Sequence, residues 1–328
     1  MPIRTAATAG MAAIAVVALA GVTACASSSS SSTSTSSTAT AAGTATATSS
    51  SNPLSSGAAS GTVVVGSANF PEDELLAQIY AAALAAKGVK VTDQFSIGSR
   101  EAYYPEIEKG AITIIPEYNG ALLTTAVNPS STATTTAQVD AQLDAGLPAS
   151  LQVLNPSPAQ DKDSVTVTQA FATRHHLSSI AQLQPLASGM VFGAPAEFTT
   201  RADGQAGLRK RYGLVFKGFD VLDESGPITL KALTDGQVQA ADVFTTTPQI
   251  LTDHLVALAD PKSDFAAQNV VPLVYRKGVN ATIVNALNAI SARLTTAGLL
   301  EMDKAIIVDH ANYPTVAAAW LKAEGLPS

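Results

Sequence analysis

The chain has 328 residues, of which 46% are hydrophobic and 14% are charged, and its formal net charge is −7. This length and apolar content are enough to bury a sizeable core in one or two domains. Nucleic acid is excluded as a partner because its phosphates require clustered Lys and Arg, and the one basic cluster, LRKRYG, is typical of a solvated helix face.

Residues 1–24 are typical of a signal peptide, with a positive charge at Arg4 and a short apolar segment rich in alanine. The segment leads into VTAC, which resembles the lipobox of bacterial lipoproteins, where small residues precede an acylated cysteine. We therefore expect Cys25 to carry a lipid anchor and the protein to lie on the extracytoplasmic face of the cell membrane. Cys25 is the only cysteine in the sequence, so we expect neither a disulfide nor a thiolate metal site.

Residues 25–60 are predicted to form a disordered tether after the lipidated cysteine. Ser, Thr and Ala dominate this segment, which has no charged and no aromatic residue and cannot bury a core. As a random coil, about 35 residues span roughly 30–35 Å. This reach lets a folded domain stand above the membrane.

Strand and helix patterns alternate from about residue 61. TVVVGS indicates a buried strand, and NFPEDELLAQIYAAALAAKG indicates a helix, whose first turn suits Pro71 and the acidic residues after it. VKVTDQFSIG and REAYYPEIEKG continue the alternation, and ITIIPEY, whose apolar run Ile112–Ile115 stops at Pro116, is the third predicted strand. This βαβαβ order predicts a mostly parallel sheet with helices on its faces.

A second alternating block follows a long extended stretch and comprises MVFGAPAEF, QAGLRKRYG, FKGFDVL, TLKALTDGQ and AADVFTTT. The chain then returns through NVVPLVYRKG to two predicted helices, over residues 280–298 and 314–324. We predict an α/β fold with two lobes and two hinge crossings near Asp163 and Phe265. Lobe 1 would comprise residues 61–164 plus 266–328, and lobe 2 residues 165–265.

Glu117, Tyr118 and Asn119 directly follow the apolar run and its proline, at the carboxyl end of the third predicted strand. In open α/β sheets, ligands bind at the carboxyl ends of the strands. The segment is therefore a candidate binding site, although an ordinary strand-to-helix turn fits it equally well.

Five segments in order resemble one family of proteins over residues 61–326: GSANFPEDELLAQIYAAALAAKGVKV, IGSREAYYPEIEKGAITIIPEYNG, VFGAPAEFTTRADGQAGLRKRYGLVFK, LKALTDGQVQAADVFTTTPQI and LLEMDKAIIVDHANYPTVAAAWLKAEGL. The family is the substrate-binding proteins of glycine betaine/choline-type ABC importers. The resemblance implies the type II periplasmic-binding-protein fold, an osmoprotectant as ligand and a membrane permease as partner. We expect a monomer with no cofactor and no metal site.

In this family a PEYTG strand end places its tyrosine against a quaternary ammonium group, and Tyr118 is the matching residue. Phe70 and Phe244 are the other rings that we place in the cleft, because cation–π attraction holds a cation that has no N–H to donate. Arg201 could bind a solute carboxylate. The polar residues expected to orient the ligand are Ser67, Asn69, Glu117, Asn119, Thr245 and Thr246.

Three residues depart from the pattern of betaine binders in this family. Ala68 and Ala121 replace a Lys and a Thr that help to hold the betaine carboxylate, and Leu230 stands where a Tyr is frequent. Glycine betaine, choline, another methylated amine and a larger or less charged solute therefore all stay open as ligands.

An enzyme is the first alternative and is disfavoured, because HExxH, GxSxG and phosphate-binding glycine loops are all absent from the sequence. His175 and His176 are neighbours in a predicted helix, which is more typical of a surface than of a metal site. A sensor or cell-surface interaction protein of the same fold is the second alternative.

The predicted anchor can be tested with Cys25→Ser. This variant should be released into the medium or keep its signal peptide, because the acylated residue is missing. Membrane and medium fractions of expressing cells measure the outcome. Unchanged membrane association of the variant would contradict the assignment.

Overall fold

The computed structural model describes residues 61–328, so the signal segment, Cys25 and the tether lie outside the described residues. The strands are β1 (Val63–Gly66), β2 (Val91–Gln94), β3 (Ile114–Tyr118), β4 (Leu151–Val153), β5 (Val165–Thr168), β6 (Val191–Ala194), β7 (Gly218–Val221), β8 (Ala240–Asp242), β9 (Leu255–Ala257) and β10 (Val270–Tyr275). The α-helices are α1 (Pro71–Ala86), α2 (Arg100–Lys109), α3 (Asn119–Leu122), α4 (Thr136–Gly146), α5 (Gln169–His175), α6 (Gln205–Tyr212), α7 (Pro227–Thr234), α8 (Gln249–Thr252), α9 (Ala281–Ser291), α10 (Thr296–Asp303) and α11 (Tyr313–Ala323). Within this part of the chain, no helix combines the length and apolar character needed to cross a bilayer.

The first sheet has the strand order β2-β1-β3-β10-β4. β1 pairs in parallel with both β2 and β3, as the βαβαβ pattern predicts, whereas β10 is antiparallel to β3 and β4. Helix α1 packs against α11 and buries Leu75, Leu76, Ile79 and Leu84 completely. These four side chains extend around half of the helix circumference, and their burial fixes α1 between the sheet and the neighbouring helices.

The second sheet repeats this arrangement with the strand order β7-β6-β8-β5-β9. β6 is parallel to β7 and β8, and β5 is antiparallel to β8 and β9. Phe192 on β6 is fully buried, and its ring centroid lies 5.4 Å from that of Phe198. Each sheet therefore has its own hydrophobic core.

Two chain crossings, residues 154–164 and 258–269, join the sheets and lie side by side. The backbone N–H of Asp161 donates to the carbonyl of Gln268 at 3.1 Å, and the Gln268 amide donates to the Asp163 carboxylate at 2.8 Å. The predicted crossing points at Asp163 and Phe265 fall within these two segments. The crossings thus form a paired connection between the sheets.

The third predicted strand, ITIIPEY, corresponds to β3, which continues through Pro116 to Tyr118 although the apolar run ends at Ile115. Pro116 faces Pro272 on the antiparallel neighbour β10. Neither proline has an N–H, so this pair must be one in which the partners exchange no hydrogen bond. On its other side β3 pairs with β1 only at Ile114, so no parallel neighbour requires the missing N–H of Pro116 either.

The single helix predicted over residues 280–298 is wrong. Helix α9 ends at Ser291, and α10 begins after Thr295, whose hydroxyl accepts a hydrogen bond from the backbone N–H of Gly298 at 3.1 Å. Thr295 is therefore the N-cap of a new helix, which divides an apolar segment that the sequence analysis assigned to one continuous helix.

Gly120 offers a test of how tightly the end of β3 packs against the second crossing. A Cβ at this position would overlap the backbone carbonyl oxygen of Ala267. Gly120→Ala should therefore lower the free energy of unfolding by about 1–3 kcal/mol, as overpacking does elsewhere.

Urea unfolding of the purified protein measures this change. Gly189→Ala is the matched control, because no atom lies within 4 Å of a Cβ at that position. Equal stability of the two variants would contradict the packing described.

Candidate ligand-binding cleft

Three aromatic side chains meet where strands of the two sheets end. Phe70 lies beyond β1, Tyr118 is the last residue of β3, and Phe244 lies beyond β8. The centroid of the Phe70 ring lies 5.9 Å from that of Tyr118 and 5.1 Å from that of Phe244. The first two rings belong to the first sheet and the third belongs to the second sheet, so this ring cluster spans the cleft between them.

Glu72, in the first turn of α1, is a buried carboxyl group that contacts both sides of the cleft. The Tyr118 hydroxyl donates to its Oε1 at 2.5 Å, and the Thr246 hydroxyl donates to its Oε2 at 2.6 Å. Burial, and then the charge of Asp303, raise the pKa of Glu72 well above its ordinary value. Burial likewise raises the pKa of Asp303, at the end of α10, to about 7. This carboxyl pair therefore retains a proton near neutral pH.

Arg100, the first residue of α2, lines a small cavity beside the ring cluster and forms an ion pair with a buried carboxylate. Its Nε and Nη2 donate to the two carboxylate oxygens of Glu117 at 2.8 Å each. The Tyr103 hydroxyl donates to the same carboxylate at 2.8 Å. Glu117 is fully buried, so its charge is compensated by a bidentate partner, as buried carboxylates require.

Arg201 enters the cleft from the second sheet and also has a carboxylate partner. Its guanidinium donates to both carboxylate oxygens of Glu101, on α2, at 3.1 Å each. Burial opposes ionisation of Glu101, but the hydrogen bonds and charge of Arg201 outweigh it and lower the pKa of Glu101 to about 2. This ion pair is a second direct contact across the cleft.

The ring cluster borders a cavity of about 40 Å³, which holds no more than a few water molecules. A solute with several non-hydrogen atoms can enter only if the rings move apart. Besides the three rings, the cavity is lined by Ala68, Arg100, Tyr103, Ala121, Asp161, Asp163, Arg201, Glu224 and Gln268.

Three residues expected to contact a ligand are directed into the fold instead. The Ser67 hydroxyl accepts a hydrogen bond from the backbone N–H of Ser96 at 2.8 Å, and Asn119 Oδ1 accepts one from the backbone N–H of Asn269 at 2.8 Å. Glu117 is the buried partner described above. All three are completely buried, and the structure does not place them at the small cavity.

The other predicted polar residues have different surroundings. Thr246 reaches the ring cluster through its hydrogen bond to Glu72. Thr245 is exposed and donates to the Asp161 carboxylate at 3.2 Å. Asn69 is also exposed and lines a neighbouring surface cavity rather than the space between the rings.

Glu72, Arg100 and Asp161 are site residues that the sequence analysis missed. Acidic residues at the start of α1 suit the helix dipole, and this pattern gives no sign that Glu72 is buried. Arg100 and Tyr103 carried a usable signal, since residues three apart on a helix share one face. Asp161 lies in an extended segment without periodicity, so no local pattern indicates its role.

Two α/β halves that meet at an aromatic cleft define a solute-binding protein with two lobes. Residues 61–323 match the OpuAC family model, described as the substrate binding domain of an ABC-type glycine betaine transport system, and the chain belongs to this family. The family resemblance stated from the sequence is therefore confirmed. Members of this family bind solutes for ABC transporters and are not enzymes, which excludes the enzyme alternative.

The chain is similar to the glycine betaine-binding protein YehZ of Escherichia coli (strain K12), with 28% identity over 281 residues, which cover 81% of this chain and 92% of that protein. The solved structure of apo YehZ from E. coli has a TM-score of 0.57 at 25% identity and covers 80% of this chain and 99% of its own. The crystal structure of a glycine betaine/carnitine/choline ABC transporter has a TM-score of 0.62 at 17% identity, with coverages of 80% and 98%. These neighbours confirm the predicted type II periplasmic-binding-protein fold.

The raised pKa of Asp303 predicts how stability depends on pH. The unfolded chain releases the proton of this residue near pH 4, whereas the folded protein keeps it to about pH 7, so wild-type stability falls as pH rises through that window. Asp303→Asn removes the ionisation. The thermal midpoint of the variant minus that of the wild type should therefore increase from pH 4 to pH 7.

Thermal unfolding across this pH range measures the difference. Asp309→Asn, at an exposed aspartate nearby, is the control and should give a difference from wild type that does not change with pH. Parallel curves for wild type and Asp303→Asn would contradict the assignment.

Proposed function

We propose that this protein captures a small quaternary ammonium solute between the rings of the cluster and delivers it to an ABC permease. A trimethylammonium group has no N–H to donate, so it is held by aromatic faces, each contributing about 0.5–2 kcal/mol. The observation that carries the proposal is the convergence of Phe70, Tyr118 and Phe244 from three strand ends. Similarity to proteins named for glycine betaine and choline supports it.

Within this class, the charges favour a cation such as choline over a zwitterion such as glycine betaine. The cationic side chains at the small cavity, within the described part of the chain, are Arg100 and Arg201, and each already pairs with a carboxylate. Ala68 and Ala121 line the same cavity and offer no polar side-chain atom. A solute carboxylate would therefore compete with existing ion pairs, whereas a cation would face a surplus of acidic groups.

Capture requires the cleft to open, and we propose that residues 61–164 plus 266–328 form one moving lobe and residues 165–265 the other. The paired crossings near Asp163 and Phe265 would act as the hinge. The Glu72–Thr246 hydrogen bond and the Glu101–Arg201 ion pair would break on opening and form again on closure. The small volume between the rings supports the need for such a motion.

We also propose that the protein is a monomer held on the extracytoplasmic face of the cell membrane by an acylated Cys25. The lipobox-like VTAC and the uncharged Ser/Thr/Ala segment after it support the anchor and the tether. Membership of a family that serves ABC transporters supports the location and the permease partner.

Tyr118 gives the sharpest test of this function. Tyr118→Ala should weaken choline binding at least about tenfold, because it removes a ring from the cluster. Tyr118→Phe should keep most of the affinity, because it retains the ring and loses only the hydroxyl that bonds to Glu72. Isothermal titration calorimetry on the purified protein measures both.

Tyr104→Ala is the control, because Tyr104 packs against a core cluster and does not line the small cavity. Wild-type affinity in Tyr118→Ala would refute the cleft assignment. If wild type binds neither choline nor another quaternary ammonium compound, the proposed function itself fails.

A further inference from the structure

Three buried acidic residues, Glu72, Asp161 and Asp303, lie beside the ring cluster and are called the acidic group below. Asp161 lines the small cavity, whereas Glu72 and Asp303 line a second cavity, of about 420 Å³. Phe70 and Phe244 line both cavities, so the acidic group has members on both sides of this ring pair. The acidic group therefore belongs to the cleft described above and is not a separate site.

Hydrogen bonds connect the members of the acidic group. The Thr246 hydroxyl donates to Glu72 at 2.6 Å, and the Thr246 backbone N–H donates to Asp161 at 3.0 Å. The Glu72 and Asp303 carboxyl groups share a hydrogen bond with each other. An ionised carboxylate can only accept hydrogen bonds, so two carboxyl groups share one only when one of them carries a proton. The geometry of the Glu72–Asp303 pair thus includes a shared proton.

In the described part of the chain, no basic side chain forms an ion pair with the acidic group. The ion pairs of Lys and Arg go to other carboxylates, which are Glu101, Glu106, Glu117, Glu197, Asp235, Asp264 and Glu324. Lys304 follows Asp303 along the chain, but its side chain is exposed. Buried charges in proteins are normally paired, so the acidic group is a place where an added cation would be stabilised.

The other titratable groups that face the Glu72–Asp303 pair come from several elements. They are Asp73 on α1, Tyr118 on β3, Glu224 before α7, His310 after α10 and Tyr313 on α11. Burial raises the pKa of both tyrosines above the ordinary value, so they are neutral at neutral pH. A histidine can change its charge near neutral pH, so His310 needs its own control.

Glu224 belongs to a second carboxyl pair in the cleft. It shares a hydrogen bond with Glu197, which lies 3.8 Å from the Arg201 guanidinium. This second pair therefore has a cation of the protein beside it, unlike the Glu72–Asp303 pair. A bound solute cation would change the surroundings of the Glu72–Asp303 pair more strongly.

We propose that the Glu72–Asp303 pair is the counter-charge of the captured cation, and that the pair releases its shared proton to the solvent when the cation binds between the rings. This inference rests on the proposed function and adds a mechanism to it: one quaternary ammonium ion is exchanged for one proton. A nearby positive charge favours the ionised form of a carboxyl group, which drives the release.

Tyr118 connects the two halves of this exchange. Its hydroxyl donates to Glu72, and its ring belongs to the cluster that holds the cation. An ionised Glu72 accepts this hydrogen bond more strongly and makes the phenol ring richer in electrons. The ring face then attracts the cation more strongly, so ionisation of the pair and cation binding favour each other.

Release of a proton makes affinity depend on pH in one direction. The free protein keeps the proton to about pH 7, because burial raises the pKa of Asp303 to about 7, and the complex loses it at a lower pH. Affinity for a cation should therefore rise with pH between these two values, by up to about tenfold for each pH unit, and become constant above them.

The test is calorimetric titration of the purified protein with choline, repeated in two buffers of different ionisation enthalpy, which counts the protons released. Wild type should release at least about half a proton per choline near pH 6.5, and its affinity should increase about tenfold from pH 5.5 to pH 7.5. The neutral alcohol 3,3-dimethylbutanol has carbon in place of the choline nitrogen. It should bind more weakly, without proton release and with an affinity independent of pH.

The double variant Glu72→Gln/Asp303→Asn removes both carboxyl groups of the pair and keeps their shapes. It should release no proton, and its affinity for choline at pH 7.5 should be at least about tenfold lower than that of wild type. His310→Asn and Glu224→Gln are the controls for other sources of the proton, and each should keep the proton release. Thermal unfolding establishes that each variant is folded, and the comparison of choline with its neutral analogue on wild type requires no variant.

The outcomes separate this inference from the function on which it rests. If choline binding requires Tyr118 but releases no proton, the exchange is refuted and the proposed function stands. If the neutral alcohol releases as many protons as choline, the release comes from cleft closure and the role as counter-charge is refuted. If His310→Asn or Glu224→Gln abolishes the release, its assignment to the Glu72–Asp303 pair is refuted. If wild type binds no quaternary ammonium compound, the proposed function fails and the exchange with it.

Discussion

The Glu72 carboxyl group is the contact on which the cleft depends, because it accepts hydrogen bonds from both sides at once. Tyr118 donates from the end of β3 and Thr246 donates from the opposite lobe. A buried carboxyl needs such partners, since each lost hydrogen bond leaves a desolvated oxygen unpaired. In the proposed hinge motion, closure of the cleft would therefore complete the hydrogen bonding of Glu72. Tyr118 contributes its hydroxyl to this contact and its ring to the cluster.

The charges around the rings support the cationic ligand proposed above. Arg100 and Arg201 both pair with carboxylates of the protein, so neither guanidinium group is free to bind a solute anion. The Glu72–Asp303 pair keeps a proton near neutral pH, because burial raises the pKa of both carboxyl groups. A cation bound between the rings would favour the ionised forms of these carboxyl groups and so offset the cost of burying their charge. In the proposed function, the aromatic faces and the acidic surroundings would therefore favour the same kind of solute.

Much of the fold was predictable because it is encoded in short periodic patterns. The alternation of strands and helices through β3, the apolar repeat of α1 and the alternation from β6 to β8 all follow from local spacing. The pairing partner of Pro116 in β3 did not, because a proline within a strand is tolerated only when the neighbouring strands do not need its N–H. That condition depends on β10, which lies more than a hundred residues further along the chain.

The sequence by itself determined the fold family and the three rings of the cleft, because aromatic residues at strand ends can be recognised from neighbouring residues. It could not determine which carboxylate faces the cleft. From its position after a buried run, Glu117 would be expected to face the ligand, but it forms an ion pair with Arg100. Glu72 occupies a position that suits the helix dipole, but it accepts a hydrogen bond from the other side of the cleft. The direction of a polar side chain is decided by the partner that satisfies it, and those partners come together only in the tertiary structure.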